Sequence, residues 1–279
     1  IYVGSYEEFG YFIRTPYNTL EYYSLKNDVK DFVFHNDEIW NIVCVQGEIV
    51  FQSFGSLFFY NGSSVEGIRL KELPLNLFQV GDTFYSQRIN GGLCVFSDRT
   101  LKELVPRRMF EDSDVLAGLP YGDAVLMLTR NKGGFLYQNG AVEKWQTECD
   151  DIFRKHTINR AVMTKDSCYI LGTISSGIYA LDKQGRLLWK VNTDNKLQNN
   201  TVLKLYCDED NNIWTALDEG IAYIHNNSLI YYYEPPFRKI GMVYDILVKE
   251  DEAYIASNQG LYWLKDGKTE LVPGLEEQT

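Results

Sequence analysis

The stretch DEDNN at residues 208–212 gathers three carboxylates and two amides in five consecutive positions. Oxygen ligands at alternate positions are what the first part of a calcium-binding loop supplies. Such a loop also needs glycine at its sixth position, where this chain has Ile213. Asp and Asn are also common turn formers, because their side chains accept hydrogen bonds from nearby backbone N–H groups. We therefore predict that this acidic bend is a turn between two strands and holds no metal.

Histidine and cysteine show no spacing that would assemble a metal or catalytic site. The three histidines are isolated, without an HxH or HExxH pattern. The cysteines contain no CxxC pair and lie mostly in apolar runs such as NIVCV, so we expect free thiols that behave as small buried hydrophobes. The chain has no GxSxG elbow, and NKGG at residues 131–134 lacks the ending of a phosphate loop. The sequence thus predicts no catalytic residue, no metal and no cofactor.

The composition favours a soluble chain rich in β-strands. Its 20 Tyr, 15 Phe and 5 Trp make 14% of the 279 residues, and aromatic residues are enriched in pleated, half-buried strands. The formal net charge of −11 repels a phosphate backbone, and no run of Lys and Arg offsets it, so we expect no nucleic-acid contact by this segment. No apolar stretch approaches the roughly 18 to 20 residues of a membrane span, so we expect no membrane insertion by it.

A repeat organises the chain. Its anchor is a small residue followed by a short apolar or aromatic run, and the seven anchors are Gly10, Ser56, Gly92, Gly134, Gly177, Gly220 and Gly260. Successive anchors lie 36 to 46 residues apart, which is the spacing of β-propeller blades, each a four-stranded antiparallel sheet. Helices have almost no support, because the apolar runs lack a helical period, and a helical turn at residues 107–113 is the one exception.

The sequence therefore predicts an all-β fold, a seven-bladed β-propeller of four-stranded antiparallel blades that forms a single domain of residues 1–279. The predicted blades are residues 1–29, 30–73, 74–114, 115–151, 152–200, 201–241 and 242–279. Because the anchor Gly10 comes so early, we expect the first blade to lack its innermost strand. Since the chain starts at Ile1 rather than Met, we also expect a fragment of a longer chain.

Residues 197–224, LQNNTVLKLYCDEDNNIWTALDEGIAYI, resemble the repeat of the two-component regulator propeller family. That repeat runs from leucine and a polar pair through valine, an apolar strand, aspartate and a polar turn to tryptophan and a glycine-led strand. The matching positions are Leu197, Asn200, Val202, Leu205, Asp208, Asn212, Ile213, Trp214 and Gly220. The chain departs from the family pattern at Asn211, where glycine is usual, and at Thr215-Ala216, where Gly-Thr is usual.

The segments VGSYEEFGYF and LEYYSL near the start, and LIYYY and SNQGLYWL near the end, are similar to one branch of that family, the polysaccharide-utilisation sensor-regulators of Bacteroidetes. The resemblance implies a periplasmic propeller of a membrane-anchored sensor, of the hybrid two-component or the one-component type. It also implies dimerisation with an identical subunit or docking on a neighbouring propeller. We predict that Tyr231-Tyr232-Tyr233 belong to an outer strand of the sixth blade.

The turns between the second and third strands of each blade emerge on one face, together with the loops that join consecutive blades. These turns offer amides, carboxylates and guanidinium groups, which suit the hydroxyls and carboxylates of sugars, and the aromatic Tyr6 and Phe54 lie nearby. The predicted ligand-binding residues are Glu7, Glu8, Arg88, Asn90, Arg130, Asn131, Asp218, Glu219, Asn258 and Gln259. For any single residue the alternative is that it is polar only because the turn is exposed to solvent, and that it binds no ligand.

The sequence and the resemblance together predict an extracytoplasmic sensor of a transcription-regulating receptor, which recognises an oligosaccharide and relays the signal to downstream domains. A propeller that acts only as a protein-interaction or dimerisation scaffold is the alternative. A carbohydrate-active enzyme is the third, because catalytic groups from separate blades leave no linear motif. Residues 177–193 also resemble one quinoprotein dehydrogenase repeat, but the pattern occurs once and that family's adjacent cysteine pair is missing.

Overall fold

The computed structural model describes residues 1–226, 240–249, 252–265 and 268–276. Within these residues the chain forms seven antiparallel sheets in which strands adjacent in sequence are paired. The chain divides into two compact units, residues 1–226 with six of the sheets and residues 227–279 with the seventh. The all-β prediction is confirmed, and seven such meanders fit seven propeller blades. The single domain of residues 1–279 and its blade limits stay a prediction.

The first three sheets contain eleven strands. Sheet 1 consists of β1 (Tyr2–Ser5), β2 (Glu8–Arg14) and β3 (Leu20–Ser24). Sheet 2 consists of β4 (Asn41–Val45), β5 (Glu48–Gln52), β6 (Ser56–Tyr60) and β7 (Val65–Arg69). Sheet 3 consists of β8 (Phe78–Val80), β9 (Thr83–Gln87), β10 (Leu93–Ser97) and β11 (Thr100–Val105).

Sheets 4 to 6 complete the first unit. Sheet 4 consists of β12 (Val115–Tyr121), β13 (Ala124–Thr129), β14 (Gly134–Gln138) and β15 (Ala141–Trp145). Sheet 5 consists of β16 (Ile158–Met163), β17 (Tyr169–Thr173), β18 (Ile178–Leu181) and β19 (Leu187–Val191). Sheet 6 has three strands in the described residues, β20 (Val202–Cys207), β21 (Ile213–Leu217) and β22 (Ile221–Ile224).

Sheet 7 lies in the second unit. Its strands are β23 (Val243–Lys249), β24 (Glu252–Ser257), β25 (Gly260–Lys265) and β26 (Lys268–Glu276). The strand predicted around Tyr231-Tyr232-Tyr233 falls outside the described residues.

Sheet 1 is the three-stranded sheet that the position of Gly10 predicts. The anchor glycine falls at the start of the third strand in the complete sheets, as Gly134 does in β14 and Gly260 in β25. In sheet 1 it falls in β2, which has only β1 before it. The strands of sheet 1 therefore correspond to the second, third and fourth strands of the other sheets.

Helical structure is confined to short segments of the described residues. The helix α1 (Asp150–Lys155) was not predicted, and 3-10 helices lie at Lys26–Asp28, Arg107–Phe110 and Thr193–Asn195. Acidic residues begin α1 and basic residues end it, which complements the helix dipole, and Phe153 anchors it in the core. The described part of the chain contains no helix with the length and apolar character that a membrane span requires.

Consecutive sheets of the first unit pack face to face, with apolar clusters between them. Side chains alternate across a strand, so Met127 of β13 packs between sheets 3 and 4, while its neighbours Leu126 and Leu128 pack between sheets 4 and 5. In the same way Leu171 of β17 faces sheet 4 and Ile170 faces sheet 6. These strands are buried on both faces, which explains why their sequences read as continuous apolar runs rather than as alternating patterns.

The cysteines follow the same alternation. All five are free thiols; Cys94 and Cys149 are buried, whereas Cys44 is exposed. The expectation of a buried thiol is therefore wrong for Cys44. Its neighbour Val45 points into the core between sheets 2 and 3, so Cys44 points to the opposite side of β4.

Candidate functional site

The turns between the second and third strands of sheets 4 and 5 share a hydrogen-bond pattern. In sheet 4 the hydroxyl of Thr129 donates to the carbonyl of Gly133 at 2.8 Å and accepts from the N–H of Lys132 at 3.1 Å. In sheet 5 the hydroxyl of Thr173 donates to the carbonyl of Gly177 at 2.9 Å. Gly177 has a φ of +82°, a conformation that glycine adopts at little cost. In both sheets the threonine hydroxyl at the end of the second strand therefore holds the backbone of the turn in place by hydrogen bonds.

In sheets 4, 5 and 6, the backbone of this turn also forms a hydrogen bond with the loop that enters the same sheet. The backbone N–H donor and the carbonyl acceptor are Arg130 and Asp114 in sheet 4 (2.8 Å), Ile174 and Thr157 in sheet 5 (2.9 Å), and Asp218 and Thr201 in sheet 6 (3.0 Å). The turns and the loops that join consecutive sheets thus lie side by side. We call this surface of the first unit the turn-and-loop face; it comprises the turns 6–7, 53–55, 88–92, 130–133, 174–177 and 218–220 with the loops 25–40, 70–77, 106–114, 146–157 and 192–201.

Arg88 on this face is committed to ion pairs. Its Nη1 donates to both carboxylate oxygens of Glu72, at 2.8 and 2.9 Å, and its Nη2 bonds to Glu103. Its Nε is buried and has no hydrogen-bond partner in the described residues. A cavity of about 440 Å³ opens beside it, lined by Glu72, Leu73, Arg88, Ile89 and Gly91. Because two carboxylates already neutralise the guanidinium, Arg88 is poorly placed to anchor an anionic ligand.

Arg130 keeps more of its hydrogen-bonding capacity. Its Nε donates to Asp114 at 3.1 Å, and Arg107 bonds to the other oxygen of the same carboxylate. The side chain of Arg130 is 46% exposed, and its two terminal nitrogens donate no hydrogen bond within the described residues. The next residue, Asn131, accepts a hydrogen bond from the hydroxyl of Ser113 at 2.8 Å. The two terminal nitrogens of Arg130 are therefore available to a ligand, and they lie beside the Asn131 amide, which is held by its hydrogen bond to Ser113.

The two acidic residues of sheet 1 have structural partners. The carboxylate of Glu7 accepts from the N–H of Asn36 at 2.9 Å, which ties the turn to the loop before sheet 2. Glu8 is the first residue of β2 rather than a turn residue, and its carboxylate accepts from Tyr22 at 2.6 Å and from Ser24 at 2.7 Å. Burial and then the Glu8 carboxylate raise the pKa of Tyr22 to about 12. Glu8 thus stabilises the pairing of β2 with β3.

The remaining predicted residues divide between the two units. In the first unit Asn90, Asp218 and Glu219 are exposed. In the second unit the side-chain oxygen of Asn258 accepts from the N–H of Met242 at 2.8 Å, and the N–H of Gln259 donates to Ser257 at 3.1 Å. Between residues 1 and 226, no hydrogen bond or ion pair joins two predicted residues from different turns. Instead, Glu7, Arg88 and Arg130 each contact a loop of the face, and Glu8 contacts β3.

Asp37 is a residue of this face that the sequence analysis missed. Its carboxylate is 3% exposed and accepts from the hydroxyl of Ser53 at 2.7 Å and from the N–H of His35 at 2.9 Å, with Arg69 at 3.4 Å. Desolvation by burial acts to raise its pKa, but the hydrogen bonds and Arg69 outweigh it and hold the pKa below its usual value. Asp37 therefore fixes the long loop before sheet 2 against the turn of that sheet. Nothing in the sequence distinguishes it from other loop carboxylates.

A central groove of about 490 Å³ runs along the first strands of sheets 3 to 6. Its lining residues are Asn41, residues 76–79, residues 116–120, residues 160–163 and residues 204–207. Two of them are cationic, Arg160 on β16 and Lys204 on β20. Neither residue was predicted from the sequence, because the predicted binding residues all belong to predicted turns rather than to strands.

The groove cations occupy equivalent positions in neighbouring sheets. The first strands of sheets 4, 5 and 6 each contain a one-residue register shift, and the residues that follow the shift are Ala117, Arg160 and Lys204. Such a β-bulge re-aims the side chain next to it. Aligning the first strands of the repeat would have placed Arg160 and Lys204 together.

The acidic bend at residues 208–212 separates β20 from β21. One oxygen of Asp208 accepts from the N–H groups of Asp210 at 3.0 Å and Asn212 at 2.9 Å, and the other accepts from Nε1 of Trp214 at 3.0 Å. Although desolvation opposes them, these hydrogen bonds hold the pKa of Asp208 below its usual value. Among the residues that the structure describes, no group of three or more His, Cys, Asp or Glu side chains is arranged to hold a metal ion.

Comparison with solved structures identifies the fold. The extracellular domain of the one-component system BT4673 from B. thetaiotaomicron superposes with a TM-score of 0.61 at 16% identity, over 95% of this chain and 37% of that one. The extracellular domain of the hybrid two-component system BT3049 from the same organism gives 0.61 at 17% identity, over 97% of this chain and 37% of that one. The chain has the fold of these domains.

The similarity to the Bacteroidetes sensor-regulators is thereby confirmed at the level of the fold. No protein-family model matches this chain, and no curated protein matches it. The chain spans little more than a third of the length of the two extracellular domains, so it corresponds to a part of each.

Proposed function

We propose that this chain is the sensor region of an extracytoplasmic receptor, which binds an oligosaccharide and relays the binding to further domains of the receptor. The observation that carries the proposal is the shared fold with extracellular domains of one-component and hybrid two-component systems over at least 95% of this chain. The proposal includes a periplasmic location, membrane anchoring elsewhere in the receptor and control of transcription as the output.

The turn-and-loop face supports the oligosaccharide as the ligand. Sugars are recognised by polar groups that bond hydroxyls and by aromatic rings that stack on the apolar faces of the sugar. The face offers the terminal nitrogens of Arg130 and the exposed carboxylates of Asp218 and Glu219. Tyr6 and Phe54, in the turns of sheets 1 and 2, are each 58% exposed. The face therefore combines both kinds of contact on backbone that is already fixed by hydrogen bonds, which lowers the entropic cost of binding.

Isothermal titration calorimetry with a panel of defined neutral and acidic oligosaccharides tests the proposal. We expect at least one of them to bind, and the variant Arg130→Ala to weaken that binding about tenfold or more, since hydrogen bonds to charged groups are strong. Lys102→Ala is the matched control. Lys102 is also an exposed cation with one ion pair, to Asp98, but it lies on β11, close to the turn between the third and fourth strands of sheet 3, at the opposite end of the sheet.

The same titrations distinguish the sensor from the two alternative functions, a protein-interaction scaffold and a carbohydrate-active enzyme. Failure of every oligosaccharide to bind would contradict the sensor proposal and favour a protein-interaction scaffold. Release of shortened products during the titration would identify a carbohydrate-active enzyme instead. Dimerisation with an identical subunit, or docking on a neighbouring propeller, is part of the proposal, and light scattering that shows only a monomer for the receptor's whole extracellular region would contradict it.

A further inference from the structure

We propose that the central groove of the first unit binds one oxyanion group of an acidic sugar, a carboxylate or a sulfate, between Arg160 and Lys204. The inference rests on the proposed sensor function and names the chemical class of its ligand.

The fold brings the two cations into one groove. The first strands β16 and β20 are neighbours, and Nδ2 of Asn159 donates to the carbonyl of Val202 at 2.7 Å across them. Arg160 directly follows Asn159, and Lys204 holds the equivalent position after the bulge of β20. The bulges therefore turn both side chains toward the same cavity.

No carboxylate compensates these charges. None of the groove-lining residues is Asp or Glu, and within the described residues neither cation forms an ion pair. Nη1 of Arg160 donates to the backbone carbonyl and side-chain oxygen of Asn159, at 2.8 and 3.2 Å. The remaining nitrogens of the guanidinium have no partner among the described residues. The cations are thus uncompensated in a chain whose net charge is −11.

The environment of the pair favours an anion. Desolvation lowers the pKa of Arg160, and desolvation together with the charge on Arg160 lowers the pKa of Lys204. The two positive charges share the groove, in which Arg160 is half-buried and Lys204 is exposed, and an oxyanion bound between them would remove their mutual repulsion. Leu116, Leu119 and Val162 supply apolar walls, which strengthen electrostatic attraction by excluding water. The volume of about 490 Å³ lies within the range of small-ligand sites.

The cations lie close to the turn-and-loop face. β16 starts at Ile158, whose N–H donates to the carbonyl of Arg130 at 3.1 Å, and Arg160 comes two residues later, about 7 Å along the strand. A saccharide that contacts Arg130 can therefore place an acidic substituent in the groove. An acidic sugar unit would account for both the polar face and the uncompensated cations.

Calorimetric titration of the chain with D-galacturonate, D-galactose 6-sulfate and D-galactose tests the assignment. We expect at least one acidic sugar to bind about tenfold or more tightly than galactose, because only the acidic sugars form charge-assisted hydrogen bonds with the pair. Preference for galacturonate identifies a carboxylate ligand, and preference for galactose 6-sulfate identifies a sulfate ligand.

Variants locate the binding. Lys204→Met and Arg160→Met should each abolish the preference for the acidic sugar, whereas Lys204→Arg should retain most of it. Lys190→Met is the matched control, because Lys190 is an exposed lysine on the outer strand β19 of the neighbouring sheet. Thermal unfolding of each variant separates a loss of binding from a loss of folding.

Four outcomes would overturn the assignment. Equal binding of galactose and the acidic sugars would show that the oxyanion is not recognised, and a preference unchanged by Lys204→Met would place the anion elsewhere. Binding of neutral oligosaccharides at Arg130 with no acidic preference would remove this inference and leave the sensor function standing. The absence of binding by any sugar would contradict both.

Discussion

The turn-and-loop face and the central groove both carry cationic side chains, but only those of the face have carboxylate partners. Arg88 is held by Glu72 and Glu103, and Asp114 bonds to Arg130. Arg160 and Lys204 line the groove, and no Asp or Glu is among the described residues that line it. The charges of the face thus hold loops against turns, whereas those of the groove form no ion pair within the described residues. Uncompensated charge is a better indication of a ligand than a polar surface is.

The largest expected effect is at Asp37. The variant Asp37→Ala leaves the His35 N–H without its acceptor, removes the shorter hydrogen bond of the Ser53 hydroxyl and takes away the partner of Arg69, so we expect the free energy of unfolding to fall by about 3 kcal/mol. Urea unfolding at pH 7 measures this change in the free energy of unfolding. Asp82→Ala, an exposed turn carboxylate between β8 and β9, should change the stability by less than about 0.5 kcal/mol. A loss below about 1 kcal/mol for Asp37→Ala would mean that the face does not depend on its buried acid.

The contribution of Asp37 should depend on pH. Its pKa is lower in the folded chain than the value of about 3.9 expected in the unfolded chain, so the ionised carboxylate stabilises the fold. This stability is fully present above the unfolded pKa and is lost as the pH falls through the folded one. The difference between the wild type and Asp37→Ala should therefore be constant from pH 7 to about pH 5 and shrink below about pH 4. A difference that is unchanged at pH 3 would contradict this account.

A smaller effect is expected for Asp114, whose side chain is 19% exposed and bonds to Arg107 and Arg130. Asp114→Asn should lower the free energy of unfolding by about 1 kcal/mol, because it removes a charge shared by two partly exposed arginines. Asp98→Asn is the matched control, since Asp98 pairs with Lys102 but is 82% exposed, and it should cost clearly less stability than Asp114→Asn. Equal losses would show that the ion pairs of the face are no stronger than an ordinary surface pair.

The smallest effect on stability is expected in the groove. Lys204→Met removes a solvent-exposed charge that is repelled by Arg160, and solvent screening keeps the gain small, so the free energy of unfolding should stay constant or rise by up to about 0.5 kcal/mol. Lys190→Met should leave it unchanged. Chemical denaturation of the unliganded variants measures both. A loss of more than about 1 kcal/mol at Lys204 would show that this residue has a structural role after all.

The strands could be predicted because their residue pattern follows from packing. Residues 168–174 read as one apolar run since β17 is buried on both faces between two sheets, and residues 202–207 lead into the bend capped by Asp208. The helix α1 could not be predicted, because six residues are too few to show a helical period.

The candidate sites were harder to predict, since they depend on register between distant residues. The partners of Arg88 lie 16 and 15 residues away, at Glu72 and Glu103, and only the folded loop and strand bring them to the guanidinium. Glu8 is adjacent to a turn in sequence, yet the pairing of β2 with β3 directs its carboxylate to Tyr22. The groove cations depend on bulges that shift the alternation by one residue, which the sequence pattern does not reveal.

The most direct test of the difference between the two regions is NMR of the chain labelled with ¹³Cε-lysine and titrated with D-galacturonate and, separately, with D-galactose 6-sulfate; Lys204 is assigned from the Lys204→Met variant. Lys132, in the turn of sheet 4, reports on the turn-and-loop face. We expect at least one of the two acidic sugars to shift the Lys204 resonance in a saturable manner and to leave that of Lys132 in place. A saturable shift of Lys132 with Lys204 unmoved by either sugar would contradict the proposed anion site.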